Sequence, residues 1–525
     1  MMRDFHLPGR SPVYAENGMC ATSHPLAAKV AIQILESGGN AVDAAIAGAV
    51  LLGIAEPQMT GIGGDCFALV AKPDGEIIAL NGSGRAPAGL DAEAIRGEGH
   101  TFMPLGHAHA VTIPGAIDAF CRLSADHGRA GLATALAPAI HYAEAGIPVA
   151  DRVAFDWAKD AGTLTGAARD VYLPNGTAPS PGTIFRAPQQ AEVLRRVAMD
   201  GRQGFYEGEV AEDMVQSLRA AGGTHTLDDF ASVEASYGTP LTGTYGEHEL
   251  VEHPPNGQGA TAILLAHILA QFDLSSLDPV GSERAHLEAE AAKLAYDARN
   301  RYLADPEHVT KLDHMLSMGT AKALAELIDP DRAMPDARTA SGAVHKDTIY
   351  ITVVDRDRMA VSLIYSIFHG FGSGIASDTF GILFQNRGAG FSLERGHANE
   401  AAPGKRPMHT IIPGMIRHKG RLAMPFGVMG GGYQPAGHAR FLTNVADYGM
   451  SPQAAIDAPR SFADKGVLNV ERGYASGVRD ALAARGHRVE VPDTPLGGAQ
   501  AILMREDGVL EGGSDPRKDG CALGY

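Results

Sequence analysis

Four cysteines in 525 residues (Cys20, Cys66, Cys121 and Cys521) are too few and too scattered for a disulfide scaffold or a zinc ribbon, and they suit a reducing compartment. Positive charge is also in short supply. With 44 Lys and Arg against 61 Asp and Glu, the net charge is −17, and no Lys/Arg run offsets it locally. A nucleic-acid partner is excluded, because its phosphates would be repelled. Long apolar runs are absent too: the longest, Ala41 to Ile54, is interrupted by Asp43 and falls short of the roughly 20 residues that span a bilayer. The first residues, MMRDFHLPGRSPVYAENG, contain no apolar core of a secretory signal. These absences predict a cytoplasmic protein with no membrane partner. Disorder is excluded by a composition 45% hydrophobic and only 20% charged.

What is abundant is glycine, with 64 residues, well above the average usage of about 7%, which implies many tight turns or backbone-lined sites. Periodicity predicts a helix from Pro25 to Ser37 with Ser23 as its N-cap, and a fully buried helix over Ala41 to Ile54. Further helices are expected around 116–124, 190–199, 209–221, 259–271 and 283–303. Turn chemistry predicts hairpins over 66–80, 348–366, 415–424 and 501–513. Strands at both ends of the chain with helices between them point to an α/β αββα sandwich assembled from distant segments. No repeat or low-complexity linker divides the chain; the weakest seam is the polar stretch from Pro330 to Asp347.

That seam runs directly into a strong β pattern beginning at Thr348. If the 347–348 bond is cut, Thr348 becomes an N-terminus, and its own amine, with an ordinary pKa of about 8, serves as base for its hydroxyl. An Asp-Thr step is more commonly plain turn-to-strand chemistry. The run Gly430-Gly431-Gly432 suits an oxyanion hole built of backbone N–H groups, or simply a tight loop. The glycines between Gly370 and Gly374 lack both the Walker ending and the dinucleotide spacing, so no nucleotide cofactor is expected.

The motifs GGNAVDAAIA (38–47), EPQMTGIGGD (56–65), AVTIPGAIDA (110–119), HPPNGQG (253–259), AEAAKLAYDARNRYLADP (289–306), DTIYITVVDRD (347–357), FGSGIASDTFGILFQN (371–386), PGKRPMHTIIP (403–413), FGVMGGG (426–432) and GGSDPRKDGCALGY (512–525) follow one another in an order that resembles the γ-glutamyltranspeptidase family of N-terminal-nucleophile hydrolases. The resemblance implies a four-layer αββα fold shared by two subunits, large 1–347 and small 348–525, cut between Asp347 and Thr348. It implies Thr348 as nucleophile, Ser366 as the hydroxyl beside it, and Gly430 and Gly431 as the oxyanion donors. It implies no cofactor and no metal, a small-molecule γ-glutamyl or acyl amide as substrate, and room for a dimer of heterodimers.

Substrate-side positions depart from the family pattern. Phe368 stands where the family has asparagine; Arg387 and Gly390 stand where it has groups that grip an α-ammonium. His409 and Thr410 replace two serines, and the family's carboxylate-clamping arginine falls on Ser83, with Arg85 two residues on. The segment from Ser392 to Lys405, corresponding to the lid, is short. Burying an α-ammonium without a carboxylate is costly, so two readings stand. One is a γ-glutamyltransferase or glutathione hydrolase. The other is an amidohydrolase or acylase for glutaryl-like or shorter carboxylate-bearing acyl amides, with Arg85 and Arg387 on the carboxylate. A non-catalytic binding relative is the alternative from another class.

Other residues have plainer readings. His409 is expected to shape the pocket, since this mechanism needs no histidine. His107 and His109 lack the carboxylates of a metal site, Trp157 is expected to pack, and Pro254 to Gly257 to form a rigid turn.

Overall fold

In a computed structural model of the protein, residues 9–335 and 348–525 are described. Two seven-stranded sheets lie at its centre. The first runs Cys521–Gly524, Met19–Thr22, Ile349–Val354, Ala360–Ser366, Asp65–Ala71, Ile77–Gly82 and Ser236–Gly238. The second runs Val13–Ala15, Leu510–Ser514, Gly498–Met504, Arg421–Met429, Gly414–His418, His248–Glu252 and Leu241–Tyr245. Every pairing in both is antiparallel. Each sheet combines strands from before and after Thr348, in line with a sandwich assembled from distant segments.

The strand Ile349–Val354 is buried on both faces. Ile349, Ile351 and Val353 pack under the helices, while Tyr350 and Val354 point into the gap between the sheets. That gap is filled by Met19, Ala21 and Leu69 from one sheet and Val251, Met415 and Ile502 from the other. A polar stitch crosses it, from Tyr350 Oη to Ser362 Oγ at 2.7 Å and from Ser362 Oγ to the Phe426 carbonyl at 3.1 Å.

Helices Pro25–Glu36 and Ala41–Ala55 cover the outer face of the first sheet. The second of these is buried along all its length, which is why its apolar residues show no stripe. Asp43 is tolerated there because it completes a cap: Asn40 Oδ1 accepts from the Val42 and Asp43 amides, and Asp43 Oδ2 accepts from the Asn40 amide at 3.0 Å. The preceding helix is capped by His24, whose Nδ1 accepts from the Leu26 amide at 3.2 Å, and not by Ser23. The Ser23 hydroxyl instead donates to buried Glu56 at 2.5 Å. Helices Gly259–Leu269 and Gln434–Ala446 cover the second sheet.

The four expected hairpins are all present, and the third continues to Met429. Trp157 is core, with its Nε1 donating to the Tyr172 carbonyl at 2.9 Å. Asn256, in the Pro254–Gly257 turn, is a buried knot. It accepts from Asn81 Nδ2 at 2.8 Å, donates to the Pro407 carbonyl at 2.8 Å, and its carbonyl accepts the His409 amide at 2.8 Å.

Candidate active site

Strand ends gather the site at one end of the inter-sheet gap. Ile349 pairs with Tyr365 and Ser366 pairs with Asp65, so Thr348, Ser366 and Asp65 arrive together, while Arg421–Met429 ends at Gly430. Thr348 is 1% exposed and its Oγ1 donates to Ser366 Oγ at 3.3 Å. Asp347, on the other side of the expected cut, lies outside the described residues.

Ser366 Oγ is a junction. Besides Thr348 it accepts from the Phe368 amide at 2.8 Å and from Arg387 Nη2 at 3.1 Å. Arg387 Nη1 donates to Thr410 Oγ1 at 2.9 Å, and the guanidinium lies 4.0 Å from the centre of the Phe368 ring. The arginine is wholly buried, and its Nε has no hydrogen-bond partner. Burial draws its pKa down to about 9, opposed by the field of Asp65, so it remains a cation at neutral pH. Phe368 holds φ +84, a left-handed conformation that costs a phenylalanine of order 1–3 kcal/mol.

Asp65 is the carboxylate of the site. Its Oδ1 accepts from Gln385 Nε2 at 2.9 Å and from the Gly84 and Gly115 amides at 3.0 and 3.3 Å; its Oδ2 meets His409 Nε2 at 3.0 Å. Because His409 Nδ1 accepts from the Ile411 amide, Nε2 carries the proton and donates to Asp65. Burial keeps this imidazole neutral, with its pKa well below the usual range. Burial also lifts the Asp65 carboxyl to about 6, against the pull of Arg387 and the donated hydrogen bonds. His409 therefore positions Asp65.

Gly430 and Gly431, with φ +115 and +53, turn the strand into the helical turn Gly431–Tyr433 and the helix behind it. The first N–H groups of a helix have no intrahelical partner and carry its positive end, so this turn suits a developing oxyanion. It is braced by Gln258, whose Nε2 donates to the Gly431 carbonyl at 2.9 Å and to the Thr410 carbonyl at 2.6 Å. Tyr296 Oη donates to the Gly432 carbonyl.

Thr348, Ser366, Phe368, Arg387 and Thr410 thus form one bonded chain, with His409 one carboxylate removed. Arg85 does not join it. Its side chain, 44% exposed, pairs with Asp305 at 3.3 Å and donates to the Gly404 carbonyl at 3.0 Å. It lines a separate cavity of 900 Å³, together with Ser83, Asp305 and Arg406, that Thr348 does not reach. The segment from Ser392 to Lys405, expected to correspond to a lid, is pinned: Lys405 Nζ donates to the Ala398 and Glu400 carbonyls, and Arg96 Nε donates to the Leu393 carbonyl at 2.7 Å.

His107 Nδ1 accepts the His109 amide, and neither residue belongs to a metal-ligating cluster among the described residues. A cluster of that kind is formed by His286, Glu290 and His487. Its atoms are already satisfied, His286 Nδ1 by His487 Nε2 at 2.7 Å and Glu290 by the Lys293 ammonium at 2.7 Å, and none of the three lines the Thr348 cavity.

Two antiparallel sheets between helix layers, with a buried threonine opening the central strand of one, define an N-terminal-nucleophile hydrolase. The model of the γ-glutamyltranspeptidase family matches residues 27–525, and the chain belongs to that family. It is 36% identical to the glutathione hydrolase-like YwrD proenzyme of Bacillus subtilis over 96% of this chain and 98% of that one. It is 35% identical to the oxamate amidohydrolase proenzyme of Klebsiella pneumoniae, over 97% and 98% of the two chains. The structure of a cephalosporin acylase from Bacillus halodurans superimposes with a TM-score of 0.92 at 37% identity, covering 100% of this chain and 99% of the other. The protein is an amide-hydrolysing enzyme of this family and not a non-catalytic relative.

Proposed function

We propose that the chain cleaves itself between Asp347 and Thr348, and that the new N-terminal threonine hydrolyses small amides whose acyl half carries a carboxylate close to the scissile carbonyl. The observation that carries this reading is Arg387: a buried cation whose direct hydrogen bonds go to two neutral hydroxyls, one of which, Ser366, bonds the nucleophile. A substrate carboxylate would supply the missing direct counter-charge. Ser366 alone separates the guanidinium from Thr348, and Phe368 fills the space beside it, so a short acyl group is favoured over a γ-glutamyl one. A relative named for oxamate, whose carboxylate adjoins the amide carbon, supports the same reading.

In the first half-reaction Thr348 Oγ1 attacks the carbonyl carbon while its α-amine takes the hydroxyl proton. Gly430 and Gly431 N–H groups hold the oxyanion, and the C–N bond breaks as the leaving amine takes that proton. Water then attacks the ester, restoring the threonine and releasing the acid. Ser366 fixes the nucleophile; Phe368, His409 and Thr410 shape the acyl side.

Self-cleavage yields subunits 1–347 and 348–525, and one such pair is the minimal unit; light scattering decides whether two pairs associate. Four free thiols support a cytoplasmic site. The test compares wild type with Thr348→Ala on denaturing gels, and wild type on oxamate, succinamate, glutaryl anilide and γ-glutamyl anilide. Two pieces for wild type, one for the variant, and the highest kcat/KM for the shortest acyl group are expected. An uncut wild type, or preference for the γ-glutamyl anilide, would overturn the reading.

A further inference from the structure

Thr348 opens onto a cavity of 170 Å³ that Arg387, Phe368 and Thr410 do not line. At ~30 Å³ per water it holds a group of about six non-hydrogen atoms. One wall is helix Asp151–Asp160, through Arg152 and Lys159, a second is the turn at Gly430, and a third is the loop from Thr494 to Gly497.

Three basic side chains line this small space: Arg152, Lys159 and Lys518. Two are committed. Arg152 Nε grips both oxygens of Asp156 at 2.9 and 2.8 Å, and its Nη1 donates to the Arg517 carbonyl. Lys518 Nζ lies 3.5 Å from the same Asp156 carboxylate. Asp464, the carboxylate in the lining, acts on Arg299 and Tyr296. Lys159 differs from all of these: it has neither a hydrogen-bond nor an ion-pair partner among the described residues.

We infer that this cavity is the subsite for the amine half of the amide, and that Lys159 reads an anionic group there. The amine released would then be an amino acid, or another carboxylate-bearing amine of similar size. This rests on the reading of Thr348 as nucleophile and Arg387 as the acyl-side cation. With the carbonyl oxygen at Gly430 and Gly431, the two remaining substituents of the carbonyl carbon leave in opposing directions. The acyl one goes toward Arg387, and the nitrogen side faces the cavity. In an amino-acid amide the carboxylate carbon is two bonds from the scissile nitrogen, within the length this cavity allows. An uncommitted ammonium on the cavity wall gives such an amine an ion pair that a neutral amine lacks. Lys159 is itself exposed, so its ammonium is open to an anion that enters the cavity from solvent.

The test uses two amides that share the acyl group wild type cleaves fastest, one of glycine and one of glycinamide. They are assayed with wild type, Lys159→Ala, Lys159→Glu and Lys159→Arg. Wild type is expected to favour the glycine amide about tenfold in kcat/KM. The ratio falls to near one in Lys159→Ala, inverts in Lys159→Glu and returns in Lys159→Arg, which a merely structural lysine would not do. A wild-type ratio near one, or a ratio untouched by Lys159→Ala, overturns the inference and leaves the hydrolase reading standing. A self-cleaved wild type that turns over no acyl amide overturns both.

Discussion

Arg387 donates to the hydroxyl of Ser366 at 3.1 Å, so a single oxygen links this buried guanidinium to Thr348, the proposed nucleophile.

Ser366→Ala removes that oxygen and strands the guanidinium. A hydrogen bond to a charged group is worth about 1.5–3 kcal/mol, so kcat/KM should fall by roughly 10- to 100-fold. Ser366→Thr, which keeps the hydroxyl, should retain most activity. Steady-state kinetics on a mature, fully cleaved sample measures both.

Arg387→Ala should cost far more with a carboxylate-bearing amide than with its neutral analogue. Losing one partner of a buried, hydrogen-bonded charge pair costs about 2–5 kcal/mol. Arg387→Lys should rescue little, because a point charge cannot hold Ser366 and Thr410 together as the planar fork does. Equal loss on both substrates would mean the arginine only supports the fold.

The pH profile should split. Asp65, raised to about 6 by burial, is ionised at pH 7 and protonates as pH falls through 6, which removes the negative charge opposing substrate near Arg387. KM for an anionic amide should therefore drop between pH 7 and 5.5. Over the same range kcat should fall, because the Thr348 amine, with an ordinary pKa of about 8, becomes more fully protonated. For stability the sign is also set: a carboxyl raised from 3.8 to about 6 lends stability that is complete below 3.8 and lost as pH rises through 6. Asp65→Asn should abolish the KM inflection.

Gly430→Ala should lose about 10²- to 10³-fold in kcat, the usual consequence of displacing an oxyanion donor. At φ +115 a side chain is strained, and its Cβ would lie 3.0 Å from Gly497 Cα. Gly432→Ala, whose Cβ meets nothing within 4 Å, is the control and should stay within a few-fold of wild type.

The sequence revealed those parts that local chemistry determines. Pro73-Asp74-Gly75 marks a hairpin and Leu287, Ala291 and Leu294 mark a helix because the signal lies within a few residues. The helix Leu132–Ala145 hides its pattern behind an internal Pro138. Asp65 reads as an ordinary residue after a glycine turn; only the register that sets it opposite Ser366 brings Gln385 and His409 onto it, across 320 and 344 positions. Arg85 and Arg387 look alike as candidate carboxylate binders, yet the first pairs with Asp305 in a cavity that Thr348 does not line. Lys159 has no motif around it and emerges only from the wall it forms.

Ile349–Val354 is hydrogen-bonded to Met19–Thr22 on one side, and Leu510–Ser514 to Val13–Ala15. The proposed cut before Thr348 would therefore sever the chain without creating a seam along which the pieces could part. It would also make the process one-way. The continuous precursor finds this strand order with all its segments tethered; two separate polypeptides would have to thread each sheet at several places at once. Once mature, the enzyme should persist for as long as it never opens fully, its lifetime governed by an unfolding rate and not by any equilibrium it could re-establish.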